Sequence, residues 1–243
     1  MFDARLRPLK DRLLAPLAAL IGHRLSPNTL TVLALVPGLA AAYLAWTGHP
    51  GWAVAMWALN RLLDGLDGAL ARHTDRQSDL GGYLDLVLDF VVYAAVPIGA
   101  LAGGVAGGGS AGAGAQIALI ALLASFYVNS ASWIALSAVL EKRAVGSRSM
   151  ARVSEATSAE STAQSDETTI AMPPGLIGGA ETVLFYALLL GLPAAATNVA
   201  WVMTVGVAIS ALQRVWWAVR RLPDLEREAS QALRPAARED GPR

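Results

Sequence analysis

Cysteine is absent from this chain of 243 residues, and only three histidines occur, at scattered positions. The absence of cysteine excludes disulfides and thiolate chemistry, and redox usage says nothing about the compartment. Charge is also scarce, because Asp, Glu, Lys and Arg make up 16% of the residues and the formal net charge is zero. Since no nucleic-acid-binding motif is visible either, we expect no nucleic-acid partner.

Apolar residues dominate the chain. They make up 54% of the sequence, and the mean hydropathy is +0.45, which is too apolar for an ordinary soluble domain. The sequence therefore predicts an all-α integral membrane protein. Six transmembrane helices are expected within a membrane domain of residues 29–219, at residues 30–46, 52–72, 82–101, 115–140, 175–192 and 198–219.

Three segments outside these spans differ from them in composition. Residues 1–28 place basic residues around a short apolar run broken by Pro16, which favours an amphipathic helix at the membrane surface over a signal peptide. Residues 144–174 are largely Ser, Thr, Ala and Glu, a composition that cannot build a core, so we expect a mobile cytoplasmic loop. Residues 220–243 are expected to form a charged cytoplasmic tail, part helical and part disordered.

The most informative stretch covers residues 60–90 and reads NRLLDGLDGALARHTDRQSDLGGYLDLVLDF. Asp64 and Asp67 are three residues apart, and Asp85 and Asp89 are four apart, so each pair shares one helix face. If the two helices form an antiparallel hairpin across the short polar gap, all four carboxylates meet at one end. Small residues interleave with them and would let a ligand approach closely: Gly68, Ala71 and Gly81.

Four carboxylates close together are unfavourable in an apolar chain, because they repel one another and are costly to expose to lipid. Two carboxylates about 5 Å apart repel by about 3 kcal/mol at an effective dielectric of about 20, so four ionised ones need bound cations. Oxygen ligands without cysteine or histidine favour Mg²⁺ or Mn²⁺ over zinc. A solvated helix end is the alternative, but each Asp exposed to lipid costs about 2.5 to 3.5 kcal/mol. We therefore expect the carboxylates to face a polar cavity near the membrane surface.

The stretch resembles the signature of the CDP-alcohol phosphatidyltransferases, integral-membrane enzymes that join a CDP-activated lipid to an alcohol. The resemblance implies a phospholipid biosynthesis enzyme that transfers a phosphatidyl group from CDP-diacylglycerol to an alcohol and releases CMP. It assigns two Mg²⁺ or Mn²⁺ ions to Asp64, Asp67 and Asp85, with Asp89 partly shared. It further makes Asp89 the general base for the acceptor hydroxyl and implies a homodimer.

The same resemblance implies a nucleotide site beside the carboxylates. Gly68, Ala71 and Arg72 would shape and contact the CDP moiety. Asn28 and Thr31, which follow a Pro at the start of the first span, would border the pocket, although helix capping alone explains them equally well. The acceptor is not predicted, because the family's acceptor pockets lie in later spans that resemble it only generally.

The distribution of basic residues predicts the orientation. Residues 47–51, 102–114 and 193–197 contain none of the 19 Lys and Arg residues, so the opposite side is expected to face the cytoplasm. Both termini and the carboxylates would then lie on the cytoplasmic side of the inner membrane, with basic residues near anionic lipids.

Three further charged residues lie within predicted spans. Glu181 is either functional or a structural partner of Arg61 or Arg214. Arg214 would either bind a phosphate or, as we favour, extend to the membrane surface. Arg61, one turn before Asp64, is expected to pair with a carboxylate of the motif.

Other functional classes make different predictions. A CDP-alcohol phosphotransferase of the CDP-choline type, acting on a lipid acceptor, would share the same motif. A cation-coupled transporter predicts carboxylates at mid-bilayer and a repeated half, whereas these cluster near one surface and no repeat is visible. A membrane scaffold that has lost activity predicts an eroded motif, and this motif is intact.

Overall fold

The structure, a computed structural model, describes residues 13–22, 24–103, 112–157 and 175–233. The described residues are helical and contain no strand. Residues 13–21 form a short helical segment. Six longer helices follow: α1 Pro27–Trp46, α2 Pro50–His73, α3 Asp79–Ala102, α4 Ala113–Thr157, α5 Gly179–Gly191 and α6 Ala196–Leu233, with a 3-10 turn at Pro193–Ala195.

Serine caps mark the start of the first and third helices, and a tight turn precedes the second. The Ser26 hydroxyl accepts a hydrogen bond from the Thr29 amide at 3.1 Å, just ahead of a proline at the first position of α1. A tight turn then leads into α2 and includes Gly48 at φ +79°, a conformation that favours glycine. At the start of α3, the Ser78 hydroxyl accepts from the Gly81 amide at 3.1 Å.

The chain divides into two compact units. The first comprises Met1–Phe126 and Leu176–Val207, and the second comprises Tyr127–Gly175 and Ala208–Arg243. In the first unit, α1 packs along both α2 and α3, and α5 contacts α2 and α3. Its core is mainly Ala, Leu and Val around two buried aromatic residues, Trp57 and Tyr186. The second unit includes an ion pair between Arg143 and Glu226 at 2.8 Å.

Within the first unit, a smaller core packs the N-terminal helical segment against α1 and α2. Leu14 and Ala18 are buried against Leu30, Leu66 and Leu70. The segment also exposes three leucines that would suit a lipid surface, namely Leu13, Leu17 and Leu20. The described part of the predicted interfacial helix is thus helical and has two different faces, whereas residues 1–12 lie outside the described residues.

Among the described residues, four helical stretches are long and apolar enough to cross a membrane, which indicates a multi-pass membrane protein: Pro27–Trp46, Asp79–Ala102, Ala113–Arg143 and Pro193–Arg227. Helix α2 does not meet that criterion because Arg61, Asp64, Asp67 and Arg72 interrupt its apolar surface. Helix α5 is apolar but has only 13 residues, or about 20 Å at the rise of an α-helix. It is therefore shorter than the predicted fifth span of residues 175–192.

The predicted loop at residues 144–174 is wrong in its first half. Helix α4 continues through residues 144–157 to Thr157, and residues 158–174 lie outside the described residues. The Ala, Arg, Glu and Met residues of this extension are good helix formers, and adding residues to an existing helix avoids the cost of nucleation. A composition that cannot build a core can therefore still extend a helix. The predicted partial helix after residue 220 is confirmed as far as Leu233.

Close packing of α1 on α3 yields a stability prediction. A Cβ atom at Gly99 would overlap the main-chain carbonyl of Ala42, and backbone at such a contact cannot rotate away. We expect Gly99→Val to lower the free energy of unfolding by about 3 kcal/mol or more, measured by thermal unfolding in detergent. Gly114→Val is the control, because a Cβ there meets nothing within 4 Å. Equal melting temperatures for the two variants would refute this packing.

Candidate active site

A cavity lies beside the facing ends of α2 and α3, next to the start of α1. Its volume is about 220 Å³, and Asp67 and Asp85 line it. Gly81 lines it too, as do all five residues predicted to surround a nucleotide: Asn28, Thr31, Gly68, Ala71 and Arg72. The helical hairpin produces this grouping, because α2 ends and α3 begins on either side of a five-residue connection, 74–78.

A second, smaller cavity adjoins the first. It has a volume of about 10 Å³ and is lined by Asp64, Asp85 and Asp89, which is near the minimum space for a single water molecule. Thr31 and Asp85 line both cavities. The four carboxylates are therefore distributed over two adjacent spaces, with Asp67 in the larger and Asp64 and Asp89 in the smaller.

Arg61 lies between two of the carboxylates. Its Nη2 donates to Asp89 Oδ1 at 2.8 Å, and its Nη1 lies 3.6 Å from Asp64 Oδ2. The predicted pairing of Arg61 with a motif carboxylate is confirmed. This contact neutralises part of the negative charge that the sequence places at the end of the hairpin.

The donor set matches a hard divalent cation, although it is not gathered into a coordination sphere. Within the described ranges, no three His, Asp or Glu side chains are grouped closely enough to hold a metal ion. One atom points to a missing partner: Asp67 is 6% exposed, and its Oδ2 is buried without a hydrogen-bond partner. A buried, unpaired carboxylate oxygen is costly, and a cation in the adjoining cavity would satisfy it. The oxygen donors therefore fit Mg²⁺ or Mn²⁺ in chemistry, with Asp67 beside a cavity that could take the ion.

Glu181 has a structural contact at the start of α5. The Glu181 carboxylate accepts a hydrogen bond from the Gly178 amide at 3.0 Å and so caps the start of α5. This supports a structural interpretation of Glu181.

The favoured prediction that Arg214 extends to the surface is wrong, since the residue is only 7% exposed. In the second unit, its Nη1 donates to the Asn129 carbonyl, the Asn129 Oδ1 and the Ser132 hydroxyl at 3.1, 2.9 and 3.0 Å. These acceptors, on α4, hold the guanidinium inside the protein.

Sequence analysis missed three residues near the carboxylates. Asn60 and Tyr93 both contact the Arg61 side chain, and the Trp57 ring lies under its guanidinium at 4.7 Å. Asn60 had a visible signal, because it is a polar residue inside an apolar helix next to Arg61. Trp57 and Tyr93 had none, since aromatic residues in a span are usually core or interfacial.

Comparisons with known proteins identify the family of this chain. The family model for CDP-alcohol phosphatidyltransferase matches residues 24–216. The inner membrane protein YnjF of Escherichia coli is 31% identical over 235 residues, which cover 94% of this chain and 100% of YnjF. A CDP-diacylglycerol–serine O-phosphatidyltransferase of Mycobacterium tuberculosis is 38% identical over 77 residues, or 32% of this chain and 27% of that protein.

Solved structures of one protein share the fold. Phosphatidylinositol phosphate synthase (PgsA1) of Mycobacterium tuberculosis, in complex with manganese and citrate, aligns with a TM-score of 0.61 at 21% identity. That alignment covers 85% of this chain and 89% of PgsA1. The same synthase with CDP-DAG bound aligns with a TM-score of 0.57 at 20% identity, over 85% of this chain and 94% of PgsA1. With a family model that spans most of its residues, this chain belongs to the CDP-alcohol phosphatidyltransferases, the membrane enzymes of phospholipid biosynthesis.

Proposed function

We propose that the enzyme transfers a phosphatidyl group from CDP-diacylglycerol to the hydroxyl of an alcohol and releases CMP. The observation that carries the proposal is the pair of adjoining cavities at the α2–α3 hairpin, in which Asp67 presents a buried, unpaired oxygen. The larger cavity accounts for every residue that the family resemblance assigns to the nucleotide. A related fold with CDP-DAG bound supports the choice of donor.

Asp89 is the proposed general base. It accepts the proton of the acceptor hydroxyl as that oxygen forms a bond to the β-phosphorus and the bond from that phosphorus to the CMP oxygen breaks. Asp89 suits this role because its side chain is 23% exposed, so an acceptor can reach it. Its ion pair with Arg61 keeps the carboxylate oriented, and a positioned base typically contributes about 10² to 10⁴ in rate.

Asp64, Asp67, Asp85 and Asp89 are the proposed ligands of two Mg²⁺ or Mn²⁺ ions. When bound, such ions neutralise the pyrophosphate and stabilise the departing CMP as Lewis acids. The protein's own contribution is to place these carboxylates on two rigid helices. The manganese complex of PgsA1 supports the choice of metal.

The proposed topology has six spans, with both termini and the active site facing the cytoplasm of the inner membrane. Within the part of the chain that the structure describes, four helical stretches are long and apolar enough to be spans. Helix α2 is proposed as a fifth because Asp64, Asp67 and Arg72 line the cavities, and Arg61 pairs with Asp64 and Asp89 instead of facing lipid. Helix α5 is the sixth, and its short length requires local thinning of the bilayer or extension by its flanking residues. A homodimer is proposed from the family resemblance alone.

The decisive assay measures CMP release. Purified full-length protein is incubated with CDP-diacylglycerol, Mn²⁺ or Mg²⁺, and one alcohol at a time: serine, glycerol 3-phosphate, phosphatidylglycerol or inositol phosphate. We expect metal-dependent CMP release with one acceptor and little with the others. A parallel reaction supplies CDP-choline and diacylglycerol, which tests the CDP-choline type of phosphotransferase. If no combination releases CMP and the protein in vesicles instead carries out cation-coupled transport, the transporter alternative would be favoured.

Gly81 offers a test of the nucleotide cavity. A Cβ atom there would lie 2.9 Å from Asn28 Oδ1 and 3.1 Å from the Ser78 hydroxyl, so Gly81→Ala must displace the Asn28 side chain. We expect the KM for the CDP-alcohol to rise roughly tenfold, because small displacements of positioning groups are costly. Gly51→Ala is the control, since a Cβ at Gly51 meets nothing within 4 Å. An unchanged KM in Gly81→Ala would remove Asn28 from the proposed site.

A further inference from the structure

We infer that Arg61 is a positioning residue that acts as a built-in counter-cation for Asp64 and Asp89, holding Asp89 in place and weakening divalent-ion binding at the small cavity. The inference rests on the proposed function. It goes beyond it by giving this cationic side chain a defined role among the four carboxylates. The signature that relates this chain to its family does not include this position.

The first support is the geometry of the guanidinium. Arg61 contacts Asp89 at 2.8 Å and Asp64 at 3.6 Å through different nitrogen atoms, so one side chain bridges α2 and α3. Its own side chain is only 10% exposed. A buried bridge of this kind interacts with the carboxylates through a lower dielectric than an exposed ion pair would.

The second support is that the guanidinium is held independently of the carboxylates. Its Nε donates to Asn60 Oδ1 at 2.8 Å, and Asn60 Nδ2 in turn donates to the Ala34 carbonyl at 2.7 Å. Asn60 is 2% exposed, so this relay is fixed inside the first unit. Nη1 also donates to the Tyr93 hydroxyl at 3.0 Å.

Two aromatic rings, together with Asn60, form a cage around the Arg61 guanidinium. The Arg61 Cζ lies 4.7 Å from the Trp57 ring centroid and 5.1 Å from that of Tyr93, distances at which cation–π attraction is favourable. The rings are fixed in turn: the Trp57 indole donates to the Val183 carbonyl at 3.1 Å, and the Tyr186 hydroxyl donates to the Tyr93 carbonyl at 2.6 Å. The positive charge therefore stays in position when a second cation enters the small cavity.

Two effects of opposite sign follow. A fixed positive charge beside the carboxylates repels an incoming divalent ion, so its removal should tighten metal binding. The same charge orients Asp89, so its removal should slow turnover. If Arg61 had only a structural role, its replacement would weaken both metal binding and turnover.

The test compares Mn²⁺ affinity and turnover in the full-length protein. Mn²⁺ dissociation constants are measured by electron paramagnetic resonance in detergent, and kcat and KM are measured from CMP release. We expect Arg61→Gln to bind Mn²⁺ roughly tenfold more tightly and to lose at least tenfold in kcat, with little change in the KM for the CDP-alcohol. Arg61→Lys keeps the charge but loses the forked contact, so we expect wild-type Mn²⁺ affinity with a severalfold lower kcat. Arg143→Gln, which removes the arginine paired with Glu226, is the matched control.

The outcomes separate the inference from the proposed function. Wild-type or weaker Mn²⁺ binding in Arg61→Gln would overturn the inference, as would unchanged kcat in Arg61→Gln or Arg61→Lys. If Arg61→Gln does not fold, Arg61→Lys decides, and wild-type turnover in that variant refutes the positioning role. A wild-type protein that releases no CMP from any CDP-alcohol refutes the proposed function, whereas the Mn²⁺ affinities still test the effect of the charge.

Discussion

Replacing Asp89 with asparagine is expected to lower the rate of CMP release by a factor of about 10² to 10⁴, the typical contribution of a general base. Asparagine has nearly the same shape and retains an oxygen that can accept from Arg61, so the ion pair becomes a hydrogen bond and the local packing survives. Asp64, Asp67 and Asp85 remain, and Mn²⁺ binding should be largely retained. The measurement pairs kcat with an Mn²⁺ titration of the same preparation.

The appropriate control is Asp79→Asn. Asp79 is an exposed residue in the first turn of α3 that lines neither cavity, and its replacement should leave turnover near that of the wild type. Near-normal CMP release in Asp89→Asn would contradict the role of this carboxylate as the base. Loss of Mn²⁺ binding along with turnover would instead make Asp89 primarily a metal ligand.

Replacing Asp67 with alanine is expected to abolish both turnover and Mn²⁺ binding. Its carboxylate is buried, with one oxygen left without a hydrogen-bond partner, which is unfavourable unless a cation completes the site. The metal-free variant should therefore be at least as stable as the wild type, because a costly buried charge has been removed. Adding Mn²⁺ should raise the melting temperature of the wild type but not that of Asp67→Ala.

Asp64→Ala should also lose both turnover and Mn²⁺ binding. In this variant Arg61 would keep only Asp89 of its two carboxylate neighbours. Asp224→Ala is a suitable control, since that carboxylate belongs to an exposed pair with Arg227 at 3.7 Å. Retention of the Mn²⁺-induced rise in melting temperature in Asp67→Ala would remove this residue from the proposed metal site.

The local features of the site could be predicted from the sequence because they depend on helix periodicity. Asp64 and Asp67, and then Asp85 and Asp89, lie at spacings that place each pair on one face. The short polar segment between them predicted the hairpin that brings the two faces together. The pairing of Arg61 with a motif carboxylate followed from its position one turn before Asp64.

Features that depend on tertiary packing could not be predicted in this way. The cage around Arg61 includes Tyr93 on α3, and nothing in the sequence distinguishes that tyrosine from an ordinary core residue. Arg214 is buried because Asn129 and Ser132 offer acceptors on another helix, whereas its position alone favoured the membrane surface. The extension of α4 to Thr157 shows that a composition unable to build a core can still continue a helix.

The most direct test of the central claim is anomalous diffraction from crystals of the full-length protein grown with Mn²⁺. We expect two manganese peaks between α2 and α3, coordinated by Asp64, Asp67, Asp85 and Asp89. Peaks located elsewhere, or no bound manganese at the α2–α3 hairpin at concentrations that support CMP release, would contradict it.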